Sequence, residues 1–426
     1  MEIIKIKGID EEIYFTISKC GLPIYIWKNE YAKSFYLSLN VRYGSIHTEF
    51  SVEGKKYKVP QGIAHFMEHI KFNVDKDTTA NDLFDPLGSD INAFTTFQYT
   101  SYLVYGTSKI KENLNCLLDY VYNPYFTKDM IKKEKGIITS EINMGKDQPY
   151  NQLYFAFNKA MYHKEKYKYL ITGEVSDIKK IEIEDIELIY RTFYHPKNMF
   201  LIITGNVNPY EIEQMVNDNL ESKEFQPYLE PNITLVKEPR NVVSKDVEVL
   251  ANVEVEKAKI GVKIPRKKFK DLDNIKLNII LNIILSSNFG DSSDLKEELL
   301  QNNIITFLTA SRFILDEYVI IDVTVESKIL DEAIKRIIEA LNHLIIDEVE
   351  LKRKIHSSIA TLVLSYEDVE NVNNMIQNYL IYYKQLIPNL KEIYESITFD
   401  EVMNVIDGFD IKEMTVVKMK KQNEPF

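Results

Sequence analysis

The order of strand-like and helix-like patterns in the first half of the chain occurs again in its second half. In the first half the patterns lie at Glu12–Ser18, Pro23–Lys28, Phe35–Val41, Gln61–Phe72 (helix), Asp90–Thr96, Thr100–Tyr105, Lys109–Tyr122 (helix), Thr127–Met144 (helix), Tyr150–His163 (helix), Ile183–Phe193 (helix) and Asn198–Gly205. In the second half they lie at Asp246–Val255, Lys259–Ile264, Asn274–Leu285 (helix), Ile304–Ala310, Tyr318–Val325, Ile329–Leu344 (helix), Val349–Tyr366 (helix) and Met414–Met419. A repeated order predicts an α+β unit that is duplicated within one chain.

The region between the two halves lacks periodicity and carries Pro227, Pro231 and Pro239 among charged residues. Such a stretch is typical of an exposed linker. We therefore expect a first domain at 1–219, a linker at 220–245 and a second domain at 246–426. A chain of 426 residues with 45% hydrophobic residues can build two cores.

Charge and cysteine content exclude several classes of protein. The formal net charge is -12 and the basic residues form no long run, so nucleic acid is not an expected partner. The amino terminus, MEIIKIKGIDEEIYF, does not resemble a secretory signal, and no stretch of some twenty apolar residues follows, so we expect a cytoplasmic protein without a membrane partner. Cys20 and Cys116 are too few for a thiolate cage, so a metal would require His, Glu or Asp.

The helix predicted at Gln61–Phe72 contains GIAHFMEHIKF, which places polar groups in an apolar segment. His65 and His69 are four residues apart, so both imidazoles lie on one helix face and can share a metal ion. Glu68 points toward the same face, where it can take a proton from a metal-bound water. Single histidines are commonly structural, but the combined pattern favours a zinc site that needs a third ligand. The corresponding second-half helix, NIKLNIILNIIL, has no histidine or acid.

The third ligand is predicted in MIKKEKGIITSEINM, Met130–Met144. Glu134 and Glu141 are seven residues apart and share a helix face with Ile131 and Ile138. An acid on an apolar stripe needs a partner. The alternative is that both glutamates are ordinary solvated acids.

These features, together with GSDINAFTTFQYTSY and YHPKNMFLIITGNV, resemble the M16 metallopeptidases, the insulinase, pitrilysin and mitochondrial processing peptidase family. The resemblance implies two homologous domains, each a mostly antiparallel sheet packed with helices, that form one half of a clam-shell peptidase. A chain of this length resembles the M16B branch, whose members act as dimers.

The resemblance also implies roles for individual residues. His65, His69 and Glu141 would bind one Zn²⁺ per chain, Glu68 would be the general base, and Glu134 would support the site. The strand that contains Asn92, Ala93 and Phe94 would be an edge that pairs with a peptide substrate, a mode of binding that tolerates varied sequences.

The second half departs from the family pattern. Active M16 assemblies carry an arginine and a tyrosine that hold the substrate and stabilise the oxyanion, and an alignment through SSDLKEELLQNNIITFLTA places Leu300 and Phe307 at these positions. Neither side chain can donate a hydrogen bond. We therefore expect the zinc-bearing subunit of a heterodimer, in which a second M16B-type subunit supplies the Arg/Tyr pair for processing of peptides or leader peptides. The alternatives are a non-catalytic structural or peptide-binding subunit and a self-sufficient homodimer.

Overall fold

The computed structural model describes residues 1–422. The strands are, in chain order, β1 (Glu2–Ile6), β2 (Glu11–Ile17), β3 (Pro23–Lys28), β4 (Phe35–Val41), β5 (Glu49–Val52), β6 (Lys55–Lys58), β7 (Ser89–Thr95), β8 (Thr100–Gly106), β9 (Met199–Gly205), β10 (Asn232–Ile233), β11 (Asp246–Ala251), β12 (Glu256–Pro265), β13 (Phe307–Ile314), β14 (Tyr318–Ser327) and β15 (Met414–Lys421). The α-helices are α1 (Ile63–Lys71), α2 (Ala80–Phe84), α3 (Ile110–Tyr122), α4 (Lys128–Lys146), α5 (Pro149–Met161), α6 (Val175–Ile178), α7 (Ile183–Phe193), α8 (Pro209–Glu221), α9 (Asn274–Phe289), α10 (Asp294–Gln301), α11 (Leu330–Asn342), α12 (Glu348–Ser365), α13 (Val369–Asn378), α14 (Leu390–Glu395) and α15 (Phe399–Gly408). None of the helices in residues 1–422 is both long and apolar enough to cross a membrane.

The first sheet has the strand order β1-β2-β3-β9-β4-β8-β7. Its neighbours are antiparallel except for β3 and β9, which are parallel. Strands β4 and β9 are buried along their whole length, as expected of central strands that are covered on both faces. Strand β7 lies at one edge of this sheet, where its outer backbone groups have no strand partner among residues 1–422.

The second sheet repeats the central part of the first one. Its order is β11-β15-β12-β14-β13, and β11 and β15 are again the parallel neighbours while the other pairs are antiparallel. This matches β3-β9-β4-β8-β7 strand for strand, with β1 and β2 as additions to the first sheet. The predicted duplication and the α+β fold class are confirmed.

The compact units are not the contiguous ranges 1–219 and 246–426. One unit contains Met1–Asn143, Leu170–Leu235 and Leu362–Asn389; the other contains Met144–Tyr169, Val236–Thr361 and Leu390–Phe426, whose last residues, 423–426, lie outside the described part. The reason is that α5 packs on β12 and β15 of the second sheet, whereas α13 packs on β4 and β9 of the first. Each repeat thus contributes a helix to the sheet of the other.

Both exchanged helices meet their sheets through polar as well as apolar contacts. On α13, Asn373 accepts a hydrogen bond from the Ser38 hydroxyl (2.5 Å), and Gln377 donates one to the Ser101 hydroxyl (3.1 Å). Beneath α5, the ammonium groups of Lys257 and Lys259 lie over the rings of Tyr150 and Phe157. The buried hydrogen bonds of α13 require defined partners, so they favour one position of that helix on its sheet. The cation–π contacts of α5 also depend on where the rings lie relative to the ammonium groups.

The expected linker is divided between the two units. Within it, β10 pairs with β5 in the first unit, with Asn232 opposite Ser51. A few residues later, Glu238 is buried in the second unit and forms an ion pair with Lys263 (2.7 Å). The segment therefore carries specific contacts and is not a solvated spacer. The prediction failed here because local sequence does not reveal a single buried acid whose partner is remote.

The start of β13 is one of the strand boundaries that differ from the prediction. Strand β13 begins at Phe307 rather than Ile304, because the backbone amides of Ile304 and Ile305 both donate to the Leu299 carbonyl (2.9 and 3.3 Å). These bonds close a turn after α10, in which Asn303 has a positive φ of 56°. Ile304 and Ile305 therefore belong to the turn that follows α10 and not to strand β13.

Gly261 provides a test of the seating of α5. A Cβ atom at this residue of β12 would lie 2.3 Å from Cε2 of Phe157 and 2.7 Å from Cε of Met161. We expect Gly261→Ala to lower the free energy of unfolding by about 1–3 kcal/mol, because overpacking displaces the helix. Thermal or denaturant unfolding measures this loss.

The matched control is Gly136→Ala on α4, where an added Cβ meets no atom within 4 Å. It should raise stability by up to about 1 kcal/mol, because glycine is a poor helix former. The loss at Gly261 should also shrink in a Phe157→Ala background. An unchanged stability of Gly261→Ala would contradict the described seating of α5.

Candidate metal centre

Helix α1 presents the predicted motif from a well-anchored position. It begins after Gly62, whose φ is 83° and whose Cβ, if present, would lie 2.3 Å from the Thr172 carbonyl oxygen. At the other end, the buried Lys71 ammonium donates to the carbonyls of Tyr120 and Asn123, both at 2.9 Å, and burial lowers its pKa to about 7. The close approach of Gly62 to Thr172 fixes the start of this short helix, and the hydrogen bonds of Lys71 fix its end.

The apolar face of α1 packs into the first core through Phe66, Met67 and Ile70, each fully buried. The remaining face carries His65, Glu68 and His69, whose potential ligand atoms lie within 4.8 Å of one another. The predicted proximity of these three side chains is therefore present in the structure.

Helix α4 brings both predicted glutamates to this face, but it gives them different neighbours. Glu134 Oε1 lies 2.9 Å from Nδ1 of His69. Glu141 Oε1 lies 3.5 Å from Nε2 of His65, and its Oε2 lies 3.4 Å from Nε2 of His69. Neither glutamate is an isolated solvated acid, and only Glu141 reaches both imidazoles.

The contacts of Glu141 are too long and poorly directed to be good hydrogen bonds. Its Oε2 atom is buried and has no hydrogen-bond partner among the described residues, although 40% of the side chain is exposed. In a tetrahedral zinc site with bonds of about 2.0–2.1 Å, neighbouring ligand atoms are separated by about 3.3 Å. The observed 3.4 and 3.5 Å, which involve different oxygens of Glu141, are close to this separation, and two imidazoles with one carboxylate are a donor set that suits zinc.

Glu68 belongs to the same cluster as the two histidines but has a different hydrogen-bond partner. Its Oε2 accepts a hydrogen bond from the Thr95 hydroxyl at 2.6 Å, and the residue is 9% exposed. Thr95 is the last residue of β7. No pattern in the sequence indicated Thr95, because a threonine in a strand carries no signal for a partner on a distant helix.

The protonation behaviour of the group follows from burial and from neighbouring charges. Burial, with a smaller contribution from His69, lowers the pKa of His65 to about 3, so this imidazole is neutral and offers a lone pair. Burial also opposes protonation of His69, but the carboxylates of Glu134, Glu141 and Glu68 outweigh it and raise the pKa of His69. Burial raises the pKa of Glu68, against the effect of the Thr95 hydrogen bonds.

The predicted substrate-binding residues lie on the edge strand β7. Asn92 is exposed, Ala93 is buried and Phe94 is partly buried. The backbone amide of Ala93 donates to Asn92 Oδ1 at 2.8 Å. Strand β7 and helix α1 are in contact within the same unit, so this strand and the histidine cluster are neighbours.

Leu300 and Phe307 lie in the second unit and are 43% and 40% exposed. Leu300 belongs to the last turn of α10, and Phe307 is the first residue of β13. Their side chains contain no hydrogen-bond donor, as the sequence indicated.

Comparison with known families gives two matches that together span most of the chain. Residues 24–174 match the model described as insulinase (peptidase family M16), and residues 180–357 match the model described as the peptidase M16 inactive domain. The first match contains the histidine cluster, and the second contains α9, the corresponding helix without histidine or acid.

Similar proteins agree with this match. The chain is 34% identical to the uncharacterized zinc protease YmfH of Bacillus subtilis, and the match covers 98% of each chain. It is 24% identical to the zinc protease PqqE of Helicobacter pylori, and that match covers 75% of this chain and 74% of PqqE. A crystal structure described as an M16-like peptidase from Alicyclobacillus acidocaldarius shares the fold with a TM-score of 0.91 at 24% identity, covering 98% of this chain and all of that one.

Proposed function

The chain belongs to the M16 family of metallopeptidases, and from this premise we propose that it is a zinc metalloendopeptidase subunit that cleaves peptides or unfolded segments. The observation that carries the proposal is the position of Glu141. Its buried Oε2 has no hydrogen-bond partner among residues 1–422, and the carboxylate lies at ligand-to-ligand distances from two imidazoles.

We assign the metal ligands as His65, His69 and Glu141, for one zinc ion per chain. With zinc bound, Glu134 would accept the Nδ1 hydrogen of His69, 2.9 Å away, and Nε2 of that ring would be free to bind the metal. Carboxylates that orient a histidine ligand in this way commonly change metal affinity by about 10–100-fold. When bound, zinc supplies Lewis-acid polarisation and a nucleophilic water at neutral pH.

Glu68 is assigned as the general base. It lies on the same helix face as the two histidines, and burial in an apolar environment keeps its proton affinity above that of a solvated carboxylate. The main chain of a peptide would pair with the open edge of β7 along Asn92, Ala93 and Phe94. The Ala93 amide, now bonded to Asn92 Oδ1, would become available once that side chain moves.

A partner is part of the proposal because the second unit lacks the expected donors. Leu300 and Phe307 cannot donate a hydrogen bond to an oxyanion, and losing one such donor commonly lowers the rate by about 10²–10³. We propose that a second M16B-type subunit supplies the arginine and tyrosine in a heterodimer whose substrates are peptides or leader peptides.

The test is hydrolysis of a fluorogenic peptide library by this chain alone, by a candidate partner alone and by an equimolar mixture. The candidate is an M16-type chain with the Arg/Tyr pair but without the histidine motif, taken from the same genome. We expect the mixture to exceed either component by about a hundredfold or more. An arginine-to-alanine variant of the partner should remove the gain while zinc stays on this chain.

The alternatives give different results in the same assay. Full activity of this chain alone, with no gain on mixing, would favour a self-sufficient homodimer. Stoichiometric zinc without hydrolysis in any mixture would favour a structural or peptide-binding subunit, an alternative that gains weight from the match of residues 180–357 to an inactive domain.

A further inference from the structure

Thr95 connects the edge strand β7 to the carboxylate of Glu68 through a hydrogen bond. Its hydroxyl donates to Glu68 Oε2 at 2.6 Å. No other residue in the described chain hydrogen-bonds to the Glu68 side chain. The orientation of this carboxylate therefore depends on one residue of another element.

The direction of the Thr95 hydroxyl is set by its surroundings. Thr100, opposite Thr95 on β8, has its hydroxyl 3.3 Å from that of Thr95. The Thr100 hydroxyl donates to the Tyr43 carbonyl at 3.0 Å, which uses its single hydrogen. The hydrogen of Thr95 is thus left for Glu68, and the short distance is typical of a bond to an ionised acceptor.

We propose that Thr95 is a positioning residue for Glu68, an inference that rests on the function proposed above. A glutamate side chain has three rotatable bonds, and a base must lie within hydrogen-bond reach of the proton that it accepts. The hydrogen bond from Thr95 holds the carboxylate in one orientation at the end of an otherwise flexible side chain.

Thr95 also links the general base, Glu68, to the strand on which a substrate would bind. Thr95 lies two residues after Ala93, so both residues point to the same side of β7. A peptide that pairs with this edge is held by the strand that also holds Glu68. Strand β7 then positions both the reacting carbonyl and the base, and groups that are held by one rigid element can be placed to within about 0.5 Å of the productive geometry.

Thr95→Val tests the proposal because valine has nearly the same shape and lacks the hydroxyl. In the active form of the protein, we expect kcat to fall on the order of tenfold to hundredfold, the effect of a misplaced group, with KM for the peptide little changed. Glu68 keeps its carboxylate in this variant, so the loss should be smaller than that from removing Glu68 itself. Thr95→Ser, which keeps the hydroxyl, should retain most of the activity.

Zinc content, thermal unfolding and crystal structures of both variants separate positioning from a structural role. We expect unchanged zinc and melting temperature in each, and a rotated Glu68 carboxylate only in Thr95→Val. An unchanged kcat and an unmoved Glu68 carboxylate in Thr95→Val would overturn the proposal. Equal losses of kcat in the valine and serine variants, or loss of zinc from either variant, would overturn it as well. If the wild-type protein hydrolyses no peptide, the proposed function fails, and the position of Glu68 in the two crystal structures still decides the role of Thr95.

Discussion

Glu68→Gln is expected to keep zinc on the chain while lowering peptide hydrolysis by about 10²–10⁴-fold, the usual contribution of a general base. Glutamine has the shape of glutamate, and its amide oxygen can still accept the Thr95 hydrogen bond. It cannot accept a proton from water at neutral pH. Zinc analysis of the purified variant and peptide hydrolysis by its active form measure the two effects.

A suitable control is Glu187→Gln, an exposed glutamate on α7, which makes the same change in net charge and should leave both zinc content and hydrolysis unchanged. Near-normal hydrolysis by Glu68→Gln would show that another group is the base. Loss of zinc from this variant would instead identify Glu68 as a ligand, a reading that its position within 4.8 Å of the histidine nitrogens makes worth testing.

The second large effect is expected at the metal ligands. His65→Ala, His69→Ala and Glu141→Gln should each lose zinc during dialysis against a weak chelator, because the two remaining protein ligands hold the ion poorly. Glu134→Gln should retain zinc with an affinity weakened by about 10–100-fold, because it removes only the carboxylate that orients His69. Metal analysis at a series of buffered zinc concentrations distinguishes the two classes.

Ser140→Ala, beside Glu141 on the exposed side of α4, is the control for disturbance of the helix and should bind zinc as the wild type does. Stoichiometric zinc in Glu141→Gln would show that the third ligand lies elsewhere, with Glu68 as the first candidate. A larger loss of zinc affinity in Glu134→Gln than in Glu141→Gln would show that Glu134 is the ligand and that Glu141 is the supporting residue.

Much of this architecture could be predicted because its determinants are local. Period-two alternation and apolar runs identified the central strands, and Pro23–Lys28 and Phe35–Val41 have the predicted bounds. Helical periodicity requires that residues four apart share a face, so His65 and His69 had to be neighbours once the segment was helical. The repeated order of these local patterns was sufficient to predict two related sheets.

Other features depended on distant parts of the chain. The seven-residue spacing puts Glu134 and Glu141 on one face of α4, but only the packing of α4 against α1 decided that Glu134 meets Nδ1 of His69 and that Glu141 meets both Nε2 atoms. The Thr95 contact with Glu68 likewise depends on how β7 lies beside α1.

The sequence by itself determined the central strands of both sheets, that their order is duplicated, and which face of α1 carries the chemistry, because these properties follow from backbone periodicity and side-chain polarity. The tertiary structure alone decided that α5 and α13 cover the sheets of the opposite repeats, and which atoms of the acids and imidazoles meet. An amphipathic helix needs an apolar surface to cover, but its own sequence does not specify which of two similar sheets provides it. That choice depends on complementary shapes and hydrogen bonds between remote residues, such as Phe157 over Gly261 and Asn373 beside Ser38.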